Sequence, residues 1–199
     1  AGAYEKANPR SLPQPLTSIC AALAVLGVVA FVGGLVTVPQ TAWLSFHTNF
    51  IYTTMLAGAG LTLAAIYTIV GARWPGPYRR FAEGLAAWIP IAFVLGIVGS
   101  FGGSHLFQWY HHPLPGKEVW LNPTRVYATD LGILAVMTLL AIAFLKASVR
   151  PTLRNLAEHG QGFGGRMAAK WTAGWRGEQE EREISLRKTR TLAPLICLV

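Results

Sequence analysis

The stretch Leu16-Thr-Ser-Ile-Cys-Ala-Ala-Leu-Ala-Val-Leu-Gly-Val-Val-Ala-Phe-Val-Gly-Gly-Leu-Val-Thr-Val38 is followed by Pro39, and a second apolar run then extends from Phe46 to Gly71. From Leu16 to Gly71 there is no Lys, Arg, Asp or Glu. A soluble domain of this size cannot surround such a stretch with protein on every side. A bilayer core, in contrast, accepts a helix of roughly 20 apolar residues without further cover.

The rest of the chain has the same character. Of 199 residues 52% are apolar and only 13% are charged, against about a quarter charged in ordinary soluble domains. Two more apolar runs occupy 81–103 and 123–147. The predicted fold is therefore all-α and integral to the membrane, a four-transmembrane-helix bundle over 16–147 with spans at 16–38, 46–71, 81–103 and 123–147. Pro39, the run Ala72-Arg73-Trp74-Pro75-Gly76-Pro77 and Pro151 punctuate these spans, because proline has no amide N–H and its ring clashes inside a helix. Pro90 lies within the third span and predicts a kink, since neighbouring groups in a bundle can satisfy the freed carbonyl. Around the bundle, 1–15 reads as a polar N-terminal segment and 148–190 as a linker. The linker ends in a short helix with acid–base pairs around Glu178-Gln-Glu-Glu-Arg-Glu183. The apolar residues 191–199 read as the start of a fifth span, too short to cross alone.

Charge sets the orientation. The N-terminus, the 72–80 loop and the tail share one side and hold Lys6, Arg10, Arg73, Arg79, Arg80 and every basic residue from Lys146 onward. The opposite side has Lys117 and Arg125. The positive-inside rule places the basic side, with the N-terminus and the 148–190 linker, in the cytoplasm. The net charge of +8 comes without any nucleic-acid motif, so nucleic acid is excluded as a partner. Cys20 and Cys197 are far apart and form no CxxC, CxxCH or zinc spacing. Gly33-Gly34, Ala57-Gly-Ala-Gly60, Gly96, Gly99 and Gly103 supply the small residues on which helices pack in lipid.

Few polar residues fall within the spans, and such residues are candidates for function because burying them in lipid is costly. His47 opens the second span in Phe46-His-Thr-Asn-Phe50. Asp130 lies about two turns into the fourth span, with Tyr127 on the same face. Glu83 follows Arg79-Arg80 at the inner end of the third span. A histidine and a carboxylate at the outer ends of the second and fourth spans suit quinol oxidation, each taking one hydroxyl proton. The plainer readings stay open: Asp130 as a partner of Arg125 or a packing hydrogen bond, His47 as an interfacial cap, and Glu83 paired with Arg79 or Arg80. The outer loop contributes His105, His111 and His112, the last two read as solvated. A b-type haem would need two histidines at matching depth, and only His47 and His105 approach this, both at the outer boundary. No nucleotide or hydrolase motif is present.

The order of motifs resembles a known family. Phe46-His-Thr-Asn-Phe-Ile-Tyr-Thr-Thr-Met-Leu-Ala-Gly-Ala-Gly60, then Tyr78-Arg-Arg-Phe-Ala-Glu-Gly-Leu85, Ile89-Pro90, Leu106-Phe-Gln-Trp-Tyr-His-His112 and Lys117-Glu-Val-Trp-Leu-Asn-Pro123 resemble polysulfide reductase C/NrfD-type membrane subunits. The likeness covers residues 40–150 and is nearest the ActF-type subunit of bacterial alternative complex III, a quinol:electron acceptor oxidoreductase of the respiratory chain. It implies two consecutive four-helix bundles, of which this would be the first half, in a bacterial cytoplasmic (inner) membrane. It further implies a related NrfD-type membrane subunit, an iron–sulfur subunit and c-type cytochrome subunits as partners, with lipids around them. The iron–sulfur clusters and c-type haems belong to those partners. The chain itself is expected to bind no redox cofactor and to act as a non-haem scaffold, with quinone or quinol at a neighbouring site and His47, Asp130, Tyr127 and Glu83 as quinone-side or proton-transfer candidates. The competing expectations are a haem b-bearing membrane anchor of a peripheral dehydrogenase and a purely structural membrane subunit.

Overall fold

In lipid every backbone polar group must be satisfied internally, so an apolar chain of this kind folds as helices. The computed structural model describes residues 14–72, 74–112, 114–159 and 162–199, and within them the chain is all-α. The N-terminal segment expected over 1–15 lies outside the described residues up to residue 13, as does Arg73. The elements are α1 (Gln14–Thr37), α2 (Pro39–Ile69), α3 (Gly76–Ala86), α4 (Ile89–Ser100), α5 (Gly103–Leu106), α6 (Pro123–Val149), α7 (Arg154–His159), α8 (Gly162–Trp171) and α9 (Glu178–Leu198). Four helical stretches, Gln14–Thr37, Pro39–Ile69, Gly76–Ser100 and Pro123–Thr152, are long and apolar enough to cross a membrane. The chain is a multi-pass membrane protein with a four-span helical bundle, as the hydropathy predicted.

The helix boundaries differ from the apolar runs for a physical reason. Proline is a stop within a helix but a good first residue, since its missing N–H would be unpaired there anyway. Thus α2 begins at Pro39 rather than at 46, with Val38 alone separating it from α1, and α3 begins beside Pro77 rather than at 81. Asn122 caps α6, its Oδ1 accepting from the Arg125 amide at 3.3 Å. At 31 residues, α2 is about 46 Å long at 1.5 Å per residue, longer than the hydrocarbon core. It ends in a glycine-dependent turn: Gly71 has φ +62°, and the amides of Gly71 and Ala72 donate to the carbonyls of Thr68 and Tyr67 at 3.3 and 3.0 Å. The kink expected at Pro90 is a break at Ala87–Trp88 that divides the third span into α3 and α4.

Several hydroxyls inside the spans turn back onto their own helix, whereas the buried Thr54 hydroxyl has no partner among the described residues. Thr53 donates to the Asn49 carbonyl at 2.8 Å, Thr68 to Ala64 at 2.9 Å and Thr138 to Leu134 at 2.7 Å, which removes their desolvation cost without a partner helix.

The core is made largely of small residues. Ala57, Ala64 and Ala65 of α2 meet Ala82 and Ala86 of α3, and Phe144 of α6 fills the largest space. Both α2 and α6 pack against α4, and both pack against α9. By contrast α1 leans principally on α2 and buries none of its residues within the chain.

The region after the bundle, read as a linker over 148–190, holds more helix than the short one expected at its end. It is helical for most of its length, with a single turn at Arg150–Thr152, α7 and α8 packed on one another, and then α9. The acidic run and the apolar end, divided at 190/191 in the sequence, form one continuous helix, α9. Ala193 and Ile196 of that helix join the bundle core. Tertiary packing overrides the low helix propensity of the glycines in α8.

The closest backbone approach is at Gly60. A Cβ there would stand 2.7 Å from both the Ala82 carbonyl oxygen and the Leu85 Cβ, so α2 and α3 would have to separate. Gly60→Ala should lower the thermal stability of the detergent-solubilised protein by about 1–3 kcal/mol. Gly132→Ala, where nothing lies within 4 Å, should not. Equal melting temperatures for the two variants would contradict the α2–α3 packing.

Candidate functional site

The polar candidates divide between the two ends of the bundle, and the two ends are built differently. At the end formed by the α1–α2 turn and the 101–122 segment the contacts are aromatic. Phe31 meets Trp43 edge-on at 5.4 Å between ring centroids and Phe46 at 5.1 Å. Phe46 stacks on Phe50 at 6.4 Å. The half-buried His47 ring stands perpendicular to Phe107 at 5.7 Å, and Phe107 stacks on Trp109 at 5.3 Å. Such edge-to-face and offset pairs suit the aromatic quadrupole, and aromatic residues favour the membrane–water boundary.

Two glycines allow this closure. A Cβ at Gly102 would overlap the Trp43 ring, and one at Gly103 would overlap the Tyr127 hydroxyl and press on Tyr110. The half-buried Tyr127 is thus held over Gly103 beside Tyr110.

Asp130 lies one helical turn beyond Tyr127. It lies exposed on α6, and no hydrogen bond or ion pair links it to His47 among the described residues. The pairing of Asp130 with Arg125 is not formed. Arg125 instead donates from Nη1 to the Val119 carbonyl at 3.0 Å, and its guanidinium lies 3.8 Å over the Trp120 ring. Five residues along a helix turn a side chain about 140° away, so the two residues face different directions. Of the loop histidines, His105 and His112 are exposed, and His111 Nε2 bonds the Ser104 carbonyl at 3.0 Å. Among the described residues no three His, Cys, Asp or Glu side chains converge as metal ligands would.

The opposite end is built on charge. Glu83, with 3% of its side chain exposed, receives Arg79 Nε at 3.1 Å and Arg80 Nη1 at 2.5 Å. Ser148 of α6 donates to Glu83 Oε1 at 2.5 Å. The expected pairing is therefore made with both arginines and extended to a second helix. Both carboxylate oxygens are engaged, and Oε1, through Ser148, ties α3 to α6.

A second clamp was not foreseen. Glu181, 1% exposed, receives Arg150 Nε at 2.6 Å and Nη2 at 2.8 Å, a two-pronged pair joining the end of α6 to α9. Arg150 Nη2 also donates to the Ala173 carbonyl at 3.2 Å. These hydrogen bonds hold the Glu181 carboxyl below the usual glutamate range, against the opposing effect of burial. Its acidic neighbours Glu178 and Glu180 are exposed. The signal that marks Glu181 is the four-residue stripe Glu181, Ser185, Thr189, Ala193, which faces α2 and α6.

Comparison with known proteins adds no assignment. No protein-family model matches the chain, and neither does any curated protein or solved structure.

Two consequences follow for the charged end. Glu83→Ala strands two guanidinium groups and a buried hydroxyl, so it should lower stability by about 3 kcal/mol. Arg80→Ala, which removes the more exposed of two partners, should cost clearly less. Similar losses for both would show that Glu83 is not the hub. The lowered carboxyl of Glu181 stabilises the fold at pH values above the unfolded value of about 4.3, and that contribution disappears as pH falls through the lower folded value. The melting-temperature gap between wild type and Glu181→Gln should therefore be constant from neutral pH to about 5 and close below about 4. A gap independent of pH would remove the ion pair as its cause.

Proposed function

We propose that the chain is a non-haem membrane subunit of a multi-subunit quinol-oxidising electron-transfer complex, alternative complex III-like, in a bacterial inner membrane. Its role there is scaffold, together with a quinone-side or proton-transfer group at the outer surface. The observation that supports this reading is where the residues carrying the family resemblance lie. Phe46, His47 and Phe50 pack with Phe107 and Trp109 at one end, while Arg79, Arg80 and Glu83 form the ionic cluster at the other. In this reading the ionic end, with α7, α8 and the start of α9, faces the cytoplasm, in keeping with the excess of Lys and Arg there.

The chemistry follows from the residue types. Oxidising a quinol releases two protons and two electrons. The imidazole of His47 takes a hydroxyl proton, and Asp130 takes or relays the second. Iron–sulfur and c-haem subunits supply the electron path. The edge of Phe107 holds the His47 ring at a fixed angle, and the surrounding aromatic rings offer an apolar lining to a planar head group. Because Asp130 lies on the exposed side of α6, a pocket that includes it takes another wall from a neighbouring bundle, the second half of the subunit or its sister. Glu83 has no free oxygen to relay protons and belongs to the scaffold.

The test is made in the assembled complex. Asp130→Asn keeps the shape and removes the titrating group, so assembly should persist while quinol-driven turnover, or the proton release coupled to it, falls about tenfold or more. His47→Gln should act in the same direction. Normal turnover and proton release in a well-assembled Asp130→Asn complex would remove the site and leave a scaffold.

A further inference from the structure

A cleft of about 560 Å³ lies between the last turns of α6 and the middle of α9, within the range of roughly 300–1,000 Å³ typical of small-molecule sites. It is lined by Lys146, Arg187 and Lys188, all exposed, with Thr191 beside them, and by an apolar wall of the exposed Ala143 and the half-buried Leu192. Arg150 also borders the cleft but is committed to Glu181. Lys146, Arg187 and Lys188 have no ion-pair partner among the described residues. No acidic side chain lines the cleft. Glu183 lines an adjoining hollow on α9, which shares Arg187 and Thr191 with the cleft.

The depth of the cleft is fixed by one bond. Ser185 Oγ donates to the Ala147 carbonyl at 2.7 Å, which sets residue 185 level with the last turn of the fourth span and satisfies one of the carbonyls that a helix end leaves unpaired. The three cations therefore sit at the membrane boundary, and Ala143 and Leu192 lie on the side of the hydrocarbon. Positive charge at the head-group level above an apolar wall between two helices matches a molecule with an anionic phosphate at one end and acyl chains at the other.

We propose that this cleft is a binding site for an anionic phospholipid, with the phosphate held by Lys146, Arg187 and Lys188 and an acyl chain laid against Ala143 and Leu192. The lipid bridges α6 and α9, so it adds to the contact already made there by Ser185 and by the Arg150–Glu181 pair. A free phosphate would satisfy the cations but leave the apolar wall uncovered, which separates the two sources experimentally.

The purified protein in neutral detergent is titrated with phosphatidylglycerol, phosphatidylcholine or inorganic phosphate, with melting temperature and lipid retained in native mass spectra as readouts. Phosphatidylglycerol should raise the melting temperature and be retained, and the other two should not. Lys146→Gln/Arg187→Gln/Lys188→Gln should weaken phosphatidylglycerol binding at least about tenfold, since each cation near an anionic surface contributes appreciably. Arg166→Gln/Lys170→Gln on α8, equal in kind but away from the cleft, should leave binding intact. Ala143→Trp, which fills the apolar wall while keeping every charge, should also weaken binding and serves if the triple variant fails to fold. Unchanged binding in the cleft variants, an equal response to inorganic phosphate, or an equal loss in the α8 variant would each overturn the site.

Discussion

Glu83 and Glu181 are the two carboxylates buried among the described residues, and the arrangement of the ionic end depends on how their charge is met. A carboxylate withdrawn from water costs several kcal/mol unless partners replace its hydration. Arg79, Arg80 and Ser148 do so for Glu83, and Arg150 does so for Glu181. In both cases a partner comes from another element, so meeting the charge also fixes the helices. Ser148 brings α6 to α3, and Arg150 brings the end of α6 to α9. Lipid tails are as apolar as leucine, so hydrophobic burial gives little reason for one helix to prefer another inside the bilayer. Polar contacts with exact reach therefore set the register, and the alanine-rich surfaces between them allow close approach.

The aromatic end follows a different logic. Ring contacts are individually worth on the order of 1 kcal/mol and tolerate adjustment. Glycines 102 and 103 sit under Trp43 and Tyr127 without anchoring them by any directional bond. His47 and Asp130, the residues proposed for chemistry, lie toward this end. The two ends thus differ in their contacts, one joined by ion pairs and the other by aromatic rings.

Hydropathy alone made the four spans legible, because no soluble arrangement could bury 16–71 on all sides. Where the helices begin was less legible: Pro39 and Pro77 were read as stops, although proline serves equally as a first helical residue. The Glu83 pairing could be anticipated from its three- and four-residue spacing to Arg80 and Arg79. Ser148, 65 positions away, could not, since only the packed bundle brings it there. Glu181 was hidden among like-charged neighbours, where composition suggests a solvated face. Its stripe of small and hydroxylated residues, 181, 185, 189 and 193, carries the burial signal that overall charge obscures. The Arg125–Asp130 pair, one of the plainer readings of Asp130, is absent on geometry that the sequence already held, since a spacing of five places the two residues on different sides of a helix.

That absence bears on Asp130 itself. Had Arg125 reached it, the carboxylate would be explained within the chain, as Glu83 and Glu181 are. Instead Arg125 turns to the Val119 carbonyl and the face of Trp120, and Asp130 faces outward about two turns from the start of α6. A short side chain at that depth has little reach toward the head groups, unlike lysine or arginine, whose stems can extend there. A carboxylate so placed is reached by water or covered by a polar surface from outside the chain. Both conditions involve groups beyond this bundle's own side chains. Asp130 therefore differs in kind from the two buried glutamates: they complete the fold from within, and it is completed, if at all, by what the bundle meets.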